Sequence, residues 1–350
     1  TIQQEIGKSW VVEVGYVGTR GIHLRETRDA IQSVDAMKHP FTVTDSAGNT
    51  QTITTDTFAN AIARTPAPGL NGYSGYQLFA NDAYSIYHAL QASLTRRWNQ
   101  SYFQAAYTFS KNIDATSTGN TAFNTAYNDQ SNINASRGIS DFNRPHRLSV
   151  SYAYELPFFQ RSTGFKKTAL GGWQVSGVSI FQNGLPFSIF DSGAGTAFLG
   201  QGSTPLLGAS LAPGAAISSG LSTGDLRARV ANGYLNPGAF VPAPLVDPAG
   251  CALDSNFCTT GFGDLGRNIY HGPFQQNWDI SFLKHFRIGE RQDVRFAADF
   301  FNLWNHTNFA NPTVTDIEQY LASPTNSPFG KIVGTNGNPR LIQFSLRWAF

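Results

Sequence analysis

Four groups of residues have types and spacings that could do chemistry. Gly261-Phe262-Gly263-Asp264-Leu265-Gly266 spells the dinucleotide fingerprint, whose glycines let the backbone approach a pyrophosphate at a helix N-terminus. That chemistry needs a preceding βαβ unit and a following helix. Neither is present, so the segment reads as a flexible loop. Ser281-Phe282-Leu283-Lys284 spells a Ser-x-x-Lys nucleophile, but on a strand positions i and i+3 face opposite sides and cannot act together. The histidines at 23, 39, 88, 146, 271, 285 and 306 lack metal-ligand spacing. His285 and His306 read as polar lining at the inner face and the rim of a sheet. The fourth group is charged. Glu13, Glu155, Asp279 and Asp299 recur at positions sharing one face, as do Arg97, Arg295 and Arg347, so cross-strand charge ladders are expected rather than paired catalytic acids. No enzyme signature remains, and no cofactor or metal site is expected.

The elements that carry these residues alternate with period two, and helix signals are nearly absent. Trp10, Val12, Val14 and Tyr16 share a face against Val11, Glu13 and Gly15. Runs of the same kind cover Tyr87 to Trp98, Phe103 to Phe109, Leu148 to Glu155, Trp173 to Ile189, Trp278 to Phe286, Val294 to Phe300 and Ile342 to Phe350. Arg96 falls on the apolar side, and Gly177 and Gly184 mark bulges or close approaches. The runs last ~10–15 residues, where globular strands average ~5–6 and membrane-spanning strands need ~9–11. Their connections alternate in length. Those near 7–9, 99–101 and 289–292 are short and that near 157–172 is intermediate. Those at 18–83, 112–143, 190–273 and 305–339 are long and rich in Gly, Pro, Asn, Ser and Thr. Short periplasmic turns and long extracellular loops give this alternation in outer-membrane barrels.

Composition agrees. Charged residues are 14% of the chain, aromatics 13% and hydrophobic residues 41%, yet mean hydropathy is only -0.23. A barrel dilutes its apolar face with a polar lumen and loops in just this way. The net charge of +2 makes no case for a nucleic-acid partner. No run is long and apolar enough for a transmembrane helix. One face carries aromatics near strand ends (Trp10, Trp98, Tyr154, Trp348) and the other Gln, Ser, Thr, Asp and Arg, as interfacial girdles and a wet lumen would. A soluble β-sandwich would alternate too, with its apolar face inward.

Two local features add to this. Cys251 and Cys258, seven positions apart in a Gly/Pro-rich stretch, read as a small disulfide loop in an oxidising compartment. Gln343, Ser345, Trp348 and Phe350 form an alternating pattern ending on the last residue. It is similar to the C-terminal assembly signal of bacterial outer-membrane barrels, with Ser345 where Gly is typical. That resemblance implies a partnership with the barrel assembly machinery.

The phrases Val12-Glu13-Val14-Gly15-Tyr16-Val17-Gly18-Thr19-Arg20-Gly21, Tyr107-Thr108-Phe109-Ser110-Lys111 and Ser140-Asp141-Phe142-Asn143-Arg144-Pro145-His146-Arg147 go further. So do Asn277-Trp278-Asp279, Phe301-Asn302-Leu303-Trp304-Asn305-His306-Thr307-Asn308-Phe309 and Pro339-Arg340-Leu341-Ile342-Gln343-Phe344. Together they resemble the barrel of Oar-like TonB-dependent receptors, with small departures such as Asn143 where Asp is typical. The resemblance implies an all-β fold, an antiparallel transmembrane barrel of about 22 strands, of which residues 1–350 hold the C-terminal part, about nine strands. A signal peptide, a regulatory domain and a plug would precede Thr1, so the chain reads as a piece of a longer protein. The implied function is an outer-membrane receptor that binds an extracellular ligand through its loops and admits it through the lumen, energised by the TonB complex through the plug. Outer-membrane lipid would surround it. Loop aromatics Tyr73, Tyr76, Phe198, Tyr234 and Phe240 either stack on ligand or anchor the loops. An adhesin or structural barrel without transport and a soluble sandwich module are the competing readings.

Overall fold

The computed structural model describes the chain except residues 30–31, 46, 66–76, 118–126, 159–163, 165–169, 199–205, 289–291 and 350. Its main element is one antiparallel sheet of β1 (Ile2–Ile6), β2 (Trp10–Asp29), β3 (Gln77–Trp98), β4 (Ser101–Asp114), β5 (His146–Glu155), β6 (Trp173–Gln182), β7 (Gln275–Ile288), β8 (Gln292–Phe301) and β9 (Leu341–Ala349). Each strand pairs with the next along the chain, so β1 and β9 are the two edges. The short segment Gly138–Ile139 adds to the far end of β4.

At one end the strands reverse tightly. β1 and β2 join across residues 7–9 with Gly7 at φ +66°, and β3 and β4 across Asn99 and Gln100 with Asn99 at φ +48°. Gly and Asn tolerate this left-handed backbone. The Gly289-Glu290-Arg291 part of the predicted β7–β8 turn lies outside the described residues. At the other end the chain runs through 30–76, 115–145, 183–274 and 302–340.

The register fixes the faces. One row crosses seven strands as Arg97, Tyr102, Ala153, Ser176, Ser281, Asp299 and Gln343. The adjacent row on the opposite face runs Trp10, Arg96, Phe103, Tyr152, Gly177, Ile280, Phe300 and Ile342. The sheet is therefore polar on one side and apolar on the other. Among the described residues no second sheet covers the apolar side: Phe344 is 66% exposed and Leu346 71%. A sandwich would bury that face, so the soluble-module reading fails. The main buried apolar cluster, with Phe187, Ile189, Leu235, Phe240 and Ile317 at its centre, lies wholly outside the nine strands.

Aromatic side chains sit at both ends of the apolar face. Trp98 and Tyr154 meet at the short-turn end, with ring centroids 6.1 Å apart. Tyr107 and His146 hydrogen-bond at 2.7 Å towards the long-loop end. His146 and Tyr154 are eight positions apart on β5, or ~26 Å along a strand. An outer-membrane barrel presents an apolar band ~25 Å tall between two such girdles.

Four cations have the register of this face: Arg20 and Lys111 towards the long loops, and Arg96 and Lys284 at the short-turn end. The Arg96 guanidinium lies 4.9 Å from the Trp10 ring centroid and 4.6 Å from that of Trp98, and its Nε donates to Ser9 Oγ at 3.3 Å. Lys284 Nζ donates to the Gly171 carbonyl oxygen and lies 5.0 Å from the Phe286 ring centroid. Lys284 is fully buried, its charge held by that carbonyl and the neighbouring rings, whereas Arg96 lies between two indoles at the end of the sheet. Gly177 and Gly184 mark close approaches, not bulges. A Cβ on Gly177 would stand 2.5 Å from the Asp279 carbonyl oxygen, and the Tyr152 ring lies over the gap. A Cβ on Gly184 would strike the Gly272 carbonyl.

The largest departure from expectation is the length of β2 and β3, 20 and 22 residues. Pairing is regular from Trp10–Arg96 to Gly21–Ser85, then shifts register twice between Gly21 and Glu26. The crossing length of ~9–11 residues is used up near Gly21, so the remainder projects beyond the band. That extension carries Arg25, Glu26 and Arg28. Its side chains lack the hydrophobic alternation that reveals a strand in sequence, although the backbone ladder continues.

Candidate functional site

The long connections pack together into a cap over one end of the sheet. Its core contains Phe187, Tyr234, Phe240, Leu265, Tyr270 and Phe329. Phe240 meets Tyr270 edge to face at 5.8 Å and Phe329 at 6.0 Å. Phe198, Tyr234 and Phe240 are thus buried anchors of the cap. Tyr73 and Tyr76 lie outside the described residues.

Two buried arginines tie the cap together. Arg267 donates from Nε to the Ser136 carbonyl (3.2 Å), from one terminal nitrogen to Ser117 Oγ (3.0 Å) and from the other to the Asp114 carbonyl (2.8 Å), and it ion-pairs with the Asp114 carboxylate. Asp141 is 3.5 Å away. Arg64 is fully buried, pairs with Asp56 at 2.8 Å and donates to Asn60 Oδ1 and the Ala197 carbonyl. Each joins segments that are more than a hundred residues apart. Cys251 and Cys258 are disulfide-bonded in the connection before β7.

The Gly261–Gly266 segment is not the flexible loop its composition suggests. Leu265 lies in the cap core, donates its amide to the Ala209 carbonyl (3.1 Å) and accepts from the Tyr127 hydroxyl (3.0 Å). The Gly263 carbonyl accepts from Asn128 Nδ2 at 3.1 Å, and a Cβ on Gly263 would strike the Gly208 carbonyl oxygen. The glycines serve close chain packing.

Glu13, Arg97, Glu155, Asp279, Arg295, Asp299 and Arg347 all fall on the polar face of the sheet. Among the described residues they form no ladder with one another. Arg295 pairs with Asp293 two positions away at 2.8 Å and stands opposite Arg347. Asp299 accepts from Ser281 Oγ at 2.5 Å, and Asp279 from the Asn302 amide at 2.9 Å. Arg97 lies 5.6 Å from the Tyr102 ring centroid. Glu13 and Glu155 face Ser93 and Gln174. The strand register brings none of these charges opposite a countercharge: their cross-strand neighbours are small, amide or apolar residues, the Tyr102 or His285 ring, or a like charge.

Ser281 and Lys284 point to opposite faces, which rules out a joint reaction. His285 shares the polar face, 3.9 Å from Asp293, and His306 sits at the rim with its amide on Asn302 Oδ1. Among the described residues no cluster of His, Cys, Asp and Glu could hold a metal ion. Gln343 and Ser345 lie on the polar face of β9 and Trp348 on the apolar face; Phe350 lies outside the described residues. Among the described residues no further strand follows β9 in the sheet.

Outside the membrane-crossing part, Glu26 is buried with its carboxylate 3.2 Å from Arg28, which also pairs with Asp82. Burial raises the Glu26 pKa to about 7; Arg28 opposes the shift and Asp82 adds to it.

The concave site is a cavity of about 590 Å³ where the polar face meets the cap. Asn277, Asp279, Phe301 and Gln343 form its wall, from the long-loop ends of β7, β8 and β9, and Asn336 and Asn338 roof it from the connection before β9. The Asn302 and Asn308 side chains clasp the rim: Asn308 bonds both the amide and the carbonyl of Gln276 at 2.8 Å. Alternation placed Asp279 and Gln343 on this face. It could not place Asn336 and Asn338, which have no periodic context.

A family model described as an outer membrane beta barrel domain matches residues 1–343. No curated protein matches the chain. Among solved structures it is similar to the outer membrane transporter YddB from Escherichia coli, with a TM-score of 0.42 and 12% identity over 99% of this chain and 31% of that one. The chain spans about a third of that protein's length.

Proposed function

From the premise that the chain belongs to the outer membrane β-barrel domain family, which places it in the bacterial outer membrane, we propose that it is the C-terminal wall of a TonB-dependent receptor of the Oar-like kind. The observation that carries this reading is the sheet itself. It is apolar outside and polar inside, and among the described residues no strand pairs with its two edges. Its inner mouth is roofed by a cap with its own core. An arc of nine strands with open edges fits a barrel far wider than side chains can fill, and barrels of about 22 strands hold a plug.

In this reading residues 1–350 are one barrel segment, preceded in the parent protein by a signal peptide, a regulatory domain and the plug that contacts TonB. Lipid contacts the apolar face, the barrel assembly machinery engages the β9 end, and the cap faces outward to select ligand. The chain binds and conducts and carries out no catalysis.

The test is uptake. Cells that accumulate a ligand through the parent protein should lose accumulation on deletion of TonB or collapse of the proton gradient, while surface binding persists. Binding with no energy-dependent uptake would favour the adhesin or structural-barrel reading.

A further inference from the structure

We infer that the cavity between β7, β8, β9 and the cap is a binding site for an uncharged saccharide; the inference rests on the receptor reading for the fate of the ligand, not for its binding. The cavity has about 590 Å³ of space, within the usual range of small-molecule sites.

Its chemistry is selective. No Lys, Arg or His lines it, so an anionic ligand finds no countercharge. Its single carboxylate, Asp279, is already hydrogen-bonded to the Asn302 amide. The polar lining is instead made of amides. Asn277, Gln343, Asn336 and Asn338 form no side-chain hydrogen bond among the described residues, and they converge on one space from two strands and a loop. Each amide offers donors and an acceptor together, which suits hydroxyl groups that both donate and accept. Phe301 is 41% exposed beside them and gives the C–H face of a sugar ring a flat apolar surface. A peptide ligand would need pockets for its side chains or a strand edge to pair with. The lining strands β7 and β8 are paired on both sides, and in the closed barrel of the proposed receptor β9 would be as well, which leaves a peptide no edge to pair with there.

The test uses the full-length protein purified from outer membranes in a polyoxyethylene detergent, which contains no sugar. Calorimetric titration would compare neutral gluco-, xylo- and galacto-oligosaccharides with uronic-acid oligosaccharides and a neutral tripeptide. At least one neutral oligosaccharide should bind, with little change between about 0.05 and 0.5 M salt, because no charge is screened. Asn277→Ala with Gln343→Ala should weaken it by roughly tenfold. Asn336→Ala with Asn338→Ala, outside the strand ladder, should do the same in a protein whose barrel is undisturbed. Binding of only the acidic sugars or the tripeptide overturns the inference, as does failure of every neutral sugar or indifference to both double variants. Titration in detergent needs no TonB. Neutral-sugar binding without energised uptake therefore contradicts the transporter reading alone, and energised uptake without neutral-sugar binding contradicts the saccharide site alone.

Discussion

The wall and the cap are built on opposite rules. In the wall, apolar side chains point away from the protein, small and polar ones line the concave side, and a continuous backbone ladder joins the strands, as a sheet built to meet lipid requires. Hardly any large apolar side chain on the nine strands is buried. In the cap, aromatic and aliphatic side chains point inward, buried arginines satisfy carboxylates and carbonyls, and a disulfide closes a surface loop. The cap is organised like a small water-soluble domain assembled from four connections. One chain can hold both because each part is matched to its own solvent.

The comparison can be broken most severely at Arg267. Arg267→Ala removes the guanidinium and leaves the Asp114 carboxylate and the Ser136 carbonyl buried without it, a loss of about 3–5 kcal/mol for a broken buried pair. Limited proteolysis should then cut the cap, while heat-modifiable gel mobility reports an intact wall. Loss of both together would mean that the two regions are one cooperative unit.

The next largest effect belongs to the wall and depends on which face is touched. Val150→Arg places a charge on the apolar face near mid-strand and should cost about 2–4 kcal/mol in a urea folding titration with lipid vesicles. Ser151→Arg, one position on and facing the polar side, should cost far less. Equal penalties would contradict the assigned faces. Replacing Cys251 and Cys258 with Ser should destabilise the cap by about 2 kcal/mol, the loop-closure value for so short a ring, visible as faster proteolysis near Leu253 with the wall unaffected.

The smallest effect sharpens the boundary between the regions, at the β2–β3 extension. The Glu26 pKa is raised from 4.5 to about 7 in the folded protein, so the folded state holds the proton more tightly than the unfolded one. Its contribution to stability is therefore complete below about pH 4.5 and is lost as pH rises through about 7. Hydrogen exchange of the extension should quicken across that interval, with a slope no steeper than about 1.4 kcal/mol per pH unit for one proton. Glu26→Gln should flatten the profile.

The wall was legible in the sequence and the cap was not, for physical reasons. Alternation along a strand is local: Leu148, Val150, Tyr152 and Tyr154 declare their face within seven residues. All seven charges assigned to the polar face are found there, because period two leaves a strand residue only two choices. Their partners do not follow from that period. Cross-strand register, which set Arg295 opposite Arg347, depends on the turns and is not written in one strand. The polar extension of β2 is not legible in the sequence, because its ladder continues without a hydrophobic signal. The cap is held by contacts such as Arg267 to Asp114, 153 residues apart, in segments without periodicity. Gly263 looked like flexibility because a glycine that permits close packing has the same letter as one that permits motion.

The central claim is that the sheet separates lipid from water, and nitroxide scanning of β5 in outer-membrane vesicles tests it most directly. Labels placed singly from position 148 to 154 should alternate. Even positions should be accessible to oxygen and shielded from a water-soluble nickel chelate, and odd positions the reverse. The absence of alternation, or even positions protected from both reagents as in a protein core, would contradict the account.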